Sequence, residues 1–380
     1  MDNSKKLVFG IVAVIVALLI VNIFFLWGLQ KTAPPQPPGT TPTENKSELV
    51  AIVSNNCPKC VELTGLIDQL KQLGVTFSER SIVFETDSEA KELVQKYGIQ
   101  KLPGVVLKTI PADFSLLSER WQALGTVEDK NVLVLREMPP PYFDIASSST
   151  KGLVEFWSIS KTDCSDCTPA PETIALEQFG IVFFKSNELA DAEPEAQQLI
   201  ERYSITKLPT VILSSEIKEY SQIASLLEAG GDFSADGTWV LRNPVPYYWD
   251  LNQNKKMGAL SLTRITFADC NGCFALGQLE EFLAQNLSLQ IAFDQNLDWS
   301  TIEGKKFVSD YNIFKIPTLV LSGEIDAYKG LEEGWLSFGF VAANQQLVFA
   351  EHEKMGPEFK FFDVDKNQLT APPEQNPLGG

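Results

Sequence analysis

All six cysteines of the 380-residue chain fall in three C-x-x-C pairs: Cys57/Cys60, Cys164/Cys167 and Cys270/Cys273. Two thiols at this spacing can close a disulfide and reopen it. A thiolate attacks a disulfide sulfur to give a mixed disulfide, and the neighbouring thiol resolves it. On a helix, residues i and i+3 share a face, so the two sulfurs can meet. Near a helix N-terminus, free N–H groups and the positive dipole end favour the anion and lower a thiol pKa from ~8.5 toward ~3.5–7. Cys57, Cys164 and Cys270 are then the candidate attacking thiols. Cys60, Cys167 and Cys273 are the candidate resolving thiols.

Other uses of such pairs are possible. A structural disulfide framework joins distant segments, whereas a four-residue loop closes almost no chain and stabilises little. Zinc ribbons pair two C-x-x-C motifs ~15–20 residues apart; here the first cysteines are 107 and 106 residues apart. Soft Cu(I) could still take one exposed thiol pair. A redox relic serving as a non-catalytic peptide-binding scaffold is the remaining alternative. The intervening charges differ: Lys59 in the first pair, Asp166 and the preceding Asp163 in the second, Asp269 before a neutral Asn271-Gly272 in the third. A stabilised thiolate makes a more oxidising couple. The first pair is therefore expected to be the most oxidising and the second the most reducing.

The elements that position these pairs repeat with them. A proline follows the first cysteine by 46, 45 and 47 residues, at Pro103, Pro209 and Pro317. Its contexts match: Tyr97-Gly-Ile-Gln-Lys-Leu102-Pro103, Tyr203-Ser-Ile-Thr-Lys-Leu208-Pro209 and Tyr311-Asn-Ile-Phe-Lys-Ile316-Pro317. An aromatic-aromatic-Asp comes later in each copy: Tyr142-Phe143-Asp144, Tyr248-Trp249-Asp250 and Phe361-Phe362-Asp363. The copies span 47–149, 150–255 and 256–369, with seams expected at 147–150 and 252–256. Within a copy the pattern predicts strand, C-x-x-C, helix, strand, helix, proline, strand. In the first copy, 49–53 reads as a buried strand. Apolar residues at helical spacing from Val61 to Leu73 read as a helix ended by Gly74. A strand within 77–84, a helix over 88–97 ended by Gly98, and a strand over 105–107 follow. A strand-helix-strand of this length implies a right-handed parallel crossover. A helical stretch over 113–121 and a hairpin ending at 132–135 complete the copy. In the second copy the hairpin turn is Ala235-Asp-Gly-Thr238.

Composition bounds the rest. Lys and Arg number 31 against 49 Asp and Glu, a net charge of −18. Such a chain is no nucleic-acid binder, since phosphate contacts need clustered cations. The one histidine, His352 in Glu351-His-Glu-Lys354, excludes most histidine-based zinc chemistry and reads as a solvated loop residue. Tyr97, Tyr203, Tyr311, Trp121 and Trp335 read as packing residues. Residues 7–27 are uncharged and predominantly apolar, long enough to cross a ~30 Å hydrocarbon core. The exit, Gly28 to Pro34, makes a poor cleavage site, so an uncleaved single-pass anchor in the cytoplasmic membrane is expected. Lys5 and Lys6 place the N-terminus inside and the remainder outside. Without residues 1–31, which hold three Lys and one Asp, the net charge is −20. Residues 32–46 form a Pro-rich spacer, and 370–380 a disordered tail.

The C-x-x-C following a strand, with Tyr-x-Ile-x-x-hydrophobic-Pro further on, resembles the thioredoxin superfamily. The Cys57-Pro58-Lys59-Cys60 copy is similar to glutaredoxins, and the Ile316-Pro317-Thr318 copy to thioredoxin itself. The resemblance implies an α/β fold of three tandem thioredoxin-like domains, each a central mixed sheet flanked by helices. It also implies cis bonds at Pro103, Pro209 and Pro317, and an exposed backbone edge at Leu102, Leu208 and Ile316 for a substrate peptide. Asn56, Asp163 and Asp269 stand where thioredoxins carry Trp, no helix is evident after the hairpin, and Glu155 resembles the buried acid of the first strand. The implied activity is thiol-disulfide exchange with exported client proteins, recharged by a membrane or envelope redox partner. It needs no cofactor beyond the redox-active disulfides.

Overall fold

The structure, a computed structural model, describes residues 47–373 except 61, 73–74, 109–124, 130–131 and 137. The expected span at 7–27, the Pro-rich spacer, the helical stretch at 113–121 with Trp121, and Gly74 lie outside the described residues.

Each copy builds the same eight strands. The first has β1 (Ser47–Val53), β2 (Phe77–Phe84), β3 (Lys101–Leu102), β4 (Gly104–Lys108), β5 (Gly125–Glu128), β6 (Val132–Leu135), β7 (Tyr142–Asp144) and β8 (Ser149–Lys151), with helices α1 (Thr64–Gln72) and α2 (Ser88–Tyr97). The second has β9 (Leu153–Ser160), β10 (Val182–Ala190), β11 (Lys207–Leu208), β12 (Thr210–Leu213), β13 (Gly231–Phe233), β14 (Trp239–Leu241), β15 (Tyr248–Asp250) and β16 (Lys255–Met257), with α3 (Thr173–Glu177), α4 (Pro194–Arg202) and α5 (Ala224–Gly230). The third has β17 (Leu260–Thr266), β18 (Ile291–Asp298), β19 (Lys315–Ile316), β20 (Thr318–Gly323), β21 (Gly339–Val341), β22 (Leu347–Phe349), β23 (Phe361–Asp363) and β24 (Gln368–Thr370), with α6 (Gly277–Leu287), α7 (Ile302–Asp310) and α8 (Leu331–Trp335).

Five of the eight strands form one mixed sheet, in the orders β2-β1-β4-β6-β5, β10-β9-β12-β14-β13 and β18-β17-β20-β22-β21. The first strand pairs parallel with the second, as the crossover requires, and antiparallel with the strand after the proline. Three such sheets with flanking helices fit three tandem thioredoxin-like domains.

Alternation along the strands explains the layering. In β1, Leu49 and Ala51 pack with Val105, Leu107, Leu133, Leu135 and α1 Leu70. Val50 and Ile52 face the other way, onto Val106, Val134 and α2 residues Ala90, Leu93 and Tyr97. Helix α2 ends where the sequence places its stop: Gly98 takes φ 60, and Ile99 N–H bonds the Val94 carbonyl.

In the first copy, among the described residues, the aromatic-aromatic-Asp segment rather than a helix follows the hairpin. Tyr142 joins one core face and Phe143 the other, so the segment seals both sides of the sheet. The seam residues 147–150 and 252–256 are the turns and outer strands of these terminal hairpins, not linkers.

The packing divides into two compact units. Among the described residues, one comprises 47–163 and 169–244 and holds the first two mixed sheets, and the other comprises 164–168 and 245–373 and holds the third.

Candidate functional site

Each C-x-x-C forms a disulfide, with Cα atoms 5.3, 5.3 and 5.6 Å apart from the first pair to the third. The local geometry differs from the helical expectation. Helices α1, α3 and α6 begin seven, nine and seven residues after Cys57, Cys164 and Cys270. The cysteines lie instead on tight turns, closed by Cys60 N–H to Cys57 O (3.2 Å), Cys167 N–H to Cys164 O (3.2 Å) and Cys273 N–H to Cys270 O (3.4 Å). The turn brings i and i+3 together without a helix. Helix dipole effects fade within the first turn, so α1, α3 and α6 add little to thiolate stability here. Sequence reasons are visible: Pro169 and Pro171 delay α3, and Gly272 takes φ 105, outside helical space.

The prolines lie where the repeats predict. Leu102-Pro103, Leu208-Pro209 and Ile316-Pro317 are all cis. Cys60 Sγ is 3.6 Å from the Leu102 carbonyl oxygen, and Cys273 Sγ is 3.6 Å from that of Ile316. In the first and third copies the second sulfur thus touches the residue before the proline.

The expected open edge is not open. Leu102, Leu208 and Ile316 are fully buried, and Pro103, Pro209 and Pro317 are buried beside them. In the first copy β3 pairs antiparallel with β7, Lys101 opposite Asp144 and Leu102 opposite Phe143. In the third, β19 pairs with β23, Lys315 opposite Asp363 and Ile316 opposite Phe362. One further backbone bond extends each ladder: Ile145 N–H to Gln100 O at 3.0 Å, and Val364 N–H to Phe314 O at 2.9 Å. The hairpins also reach the cysteine turns. Thr150 Oγ1 donates to Asn56 O at 2.8 Å, and Phe274 N–H donates to Lys360 O at 2.8 Å.

Access to the sulfurs is uneven. Cys57 is 6% exposed and Cys164 9%, while Cys60, Cys167, Cys270 and Cys273 are half-buried. The third pair is the one in which both cysteines meet solvent.

The charges between the cysteines act differently from the sequence reading. Lys59 Nζ donates to the Phe183 carbonyl at 2.7 Å, so its charge is tied to β10 rather than to Cys57. Asp166 Oδ1 lies 3.9 Å from Cys164 Sγ, close enough to oppose a thiolate. The other oxygen of Asp166 pairs with Lys256, whose ammonium holds the carboxyl below its usual range and screens its field. Glu155, compared above with a buried acid, pairs with Lys185 across β9 and β10 at 2.8 Å.

Two features escaped the sequence reading. His352 is not solvated but wholly buried. Its Nε2 bonds the Pro317 carbonyl at 2.7 Å, and its ring sits among Phe274, Phe349 and Phe361. Burial pushes its pKa below the ordinary value. It braces the backbone beside Cys273, and no local pattern in Glu-His-Glu-Lys signals that. The repeated Asp also has a defined task. It accepts the N–H three residues on: Ser147 to Asp144 (2.8 Å), Gln253 to Asp250 (2.9 Å) and Lys366 to Asp363 (3.0 Å). The next residue, Ser148, Asn254 or Asn367, takes φ 51, 50 or 52. Such side chain-to-backbone turns suit Asp, and the left-handed position suits Asn. A fourth repeated feature, Asp followed four residues later by Ser or Asn, could have signalled the turn. Among the described residues no group of three or more His, Cys, Asp or Glu could hold a metal ion, and no helix is long and apolar enough to cross a membrane.

No protein-family model matches the chain, and no curated protein matches it. Among solved structures, ERdj5 (form II) is 11% identical over 76% of this chain and 39% of its own, with a TM-score of 0.15. Human ERp44 is 10% identical over 76% of this chain and 83% of its own, with a TM-score of 0.12. The N-terminal domain of alkylhydroperoxide reductase AhpF from Enterococcus faecalis is 19% identical over 44% of this chain and 81% of its own, with a TM-score of 0.14. This chain thus spans well under half of the ERdj5 structure. At such TM-scores these likenesses carry no argument, and the strand order and cysteine-proline geometry stand on their own.

Proposed function

We propose that this chain is a membrane-anchored, extracytoplasmic thiol-disulfide oxidoreductase acting on exported proteins through its three C-x-x-C pairs. The carrying observation is the pairing of a three-residue disulfide with the residue before the proline, sulfur to carbonyl at 3.6 Å in the first and third copies. A client thiolate attacks one sulfur of the pair. The S–S bond breaks, a mixed disulfide forms, and the other cysteine leaves as thiolate. A second client thiolate completes the transfer of two electrons, leaving an oxidised client and a dithiol. In the opposite direction Cys57, Cys164 or Cys270 attacks a client disulfide and its partner resolves. The apolar run at 7–27 after Lys5 and Lys6 supports the anchored, outward-facing placement. An envelope redox partner would reset the pairs; no other cofactor is invoked.

Replacing Cys60, Cys167 or Cys273 singly with Ser tests this. Each variant should trap client proteins in adducts that thiol reductants release. A complete lack of adducts from all three would overturn the proposal. The burial of Cys57 and Cys164 favours a second reading, a non-catalytic scaffold. On that reading the disulfides resist mild reduction and the thiol count stays at zero.

A further inference from the structure

The edge beside the proline already has an occupant. A client peptide bound there would hydrogen-bond to the backbone of the two residues before the proline, as an added strand. In the first and third copies β7 and β23 hold those positions, in the same register, with the same extra bond one residue beyond. The occupant is itself anchored. Phe143 packs in the cluster that contains Cys57 and Leu102. Phe362 meets Phe267 edge-to-face, and the Phe267 carbonyl accepts the Cys270 N–H at 3.0 Å. Each strand is backed by an outer one, β8 or β24.

We infer that these hairpins are resident strands filling the polypeptide subsite, so that the first and third sites discriminate by thiol size. The inference rests on the thiol-disulfide reading above. A small thiol reaches a sulfur with the hairpin in place. A polypeptide thiol needs the same edge and must first displace β7 or β23. In either case the incoming thiolate becomes one half of a mixed disulfide, and the partner cysteine leaves as thiolate. A second thiol, small or polypeptide, then releases the dithiol.

The third hairpin permits a clean test because β24 is its outer strand and belongs to neither the cysteine turn nor the central sheet. The full chain with Cys57, Cys60, Cys164 and Cys167 replaced by Ser retains one pair. Two probes carry the same thiol: N-acetylcysteine N-methylamide, and a ten-residue extended peptide with one central cysteine. In the intact hairpin the small probe should form mixed disulfide at least tenfold faster per thiolate. Removing residues 366–380 should raise the peptide rate at least tenfold and leave the small-probe rate within twofold. Equal rates for the two probes in the intact hairpin, or a rise in both on truncation, would overturn the inference alone. Failure of both probes to react would overturn it together with the thiol-exchange reading. A measurement on the untruncated chain covers a truncation that does not fold. Excess peptide should speed amide hydrogen exchange at Phe362 and Val364, and mixed-disulfide formation without that change also refutes the resident strand.

Discussion

At the scale of single residues, charge placement decides which couple is tuned and which is not. The exposed Lys59 ammonium is held at Phe183 O rather than at a sulfur, so Lys59→Ala should shift the Cys57/Cys60 potential by no more than about 20 mV. Asp166 remains 3.9 Å from Cys164 and is screened by Lys256. Lys256→Ala should therefore lower the Cys164/Cys167 potential. An exposed charge pair at this distance is worth ~1 kcal/mol, on the order of 20 mV for two electrons. Full chains retaining a single pair, equilibrated against a redox buffer, read both values. No fall for Lys256→Ala would show the carboxylate to be fully screened by water. The second copy is still expected to be the most reducing, but the ground for ranking the first as most oxidising is gone. His352 supplies the pH dependence. Its folded pKa lies below the ordinary ~6.5 of the unfolded chain because burial disfavours the charged ring. Its contribution is thus complete above that value and is lost as pH falls toward the folded pKa. It is the one histidine in the chain, so between pH 7 and 5 the melting temperature should decline in the parent and stay flatter in His352→Phe. Matching slopes would mean that the buried ring does not titrate there.

At the scale of elements, the hairpin next to the sheet edge imposes a demand that composition alone hides. Gly125, Gly231 and Gly339 open β5, β13 and β21 in the three copies. A Cβ on them would stand 1.9, 1.9 and 1.8 Å from the Val134, Val240 and Val348 carbonyl oxygens of the facing strand. A backbone atom cannot yield as a side-chain tip can, so Gly231→Ala should cost roughly 1–3 kcal/mol, the usual range for overpacking. Denaturant unfolding of the full chain would register it as a lower midpoint, and a neutral substitution would mean that β13 can move away. These elements also show what the sequence disclosed and what it hid. Strands β1, β2 and β4, α2 with its Gly98 stop and the Ala235–Thr238 turn were legible, because burial period and turn chemistry are local signals. The C-x-x-C turn was misread as helical because the spacing that lets two sulfurs meet on a helix is also met by a four-residue turn. The closed edge at Leu102 and Ile316 was invisible for a different reason. Its partners Phe143 and Phe362 lie 41 and 46 residues further along the chain, and pairing at that range leaves no periodic trace.

At the scale of the whole molecule, the proposed membrane anchor would make charge and tethering govern where the pairs can work. On the proposed placement, the part beyond residue 31, with its net charge of −20, would be repelled by anionic lipid heads. The proposed spacer holds prolines at 34, 35, 37, 38 and 42, and Pro-rich linkers extend by ~3.1 Å per residue. A Debye length of about 8 Å at physiological salt is shorter than such a spacer, so repulsion should fade before the cysteines are reached. On the proposed orientation the pairs are kept from cytosolic reductants, which hold thiols reduced, and their disulfides can persist. Intact cells offer a direct measurement. After brief treatment with a membrane-impermeant phosphine, an impermeant maleimide should label the chain, and Cys270→Ser/Cys273→Ser should remove the largest share, since that pair is the most accessible. Labelling that requires lysis would place the pairs in the cytosol, where the positive-inside reading of Lys5 and Lys6 fails.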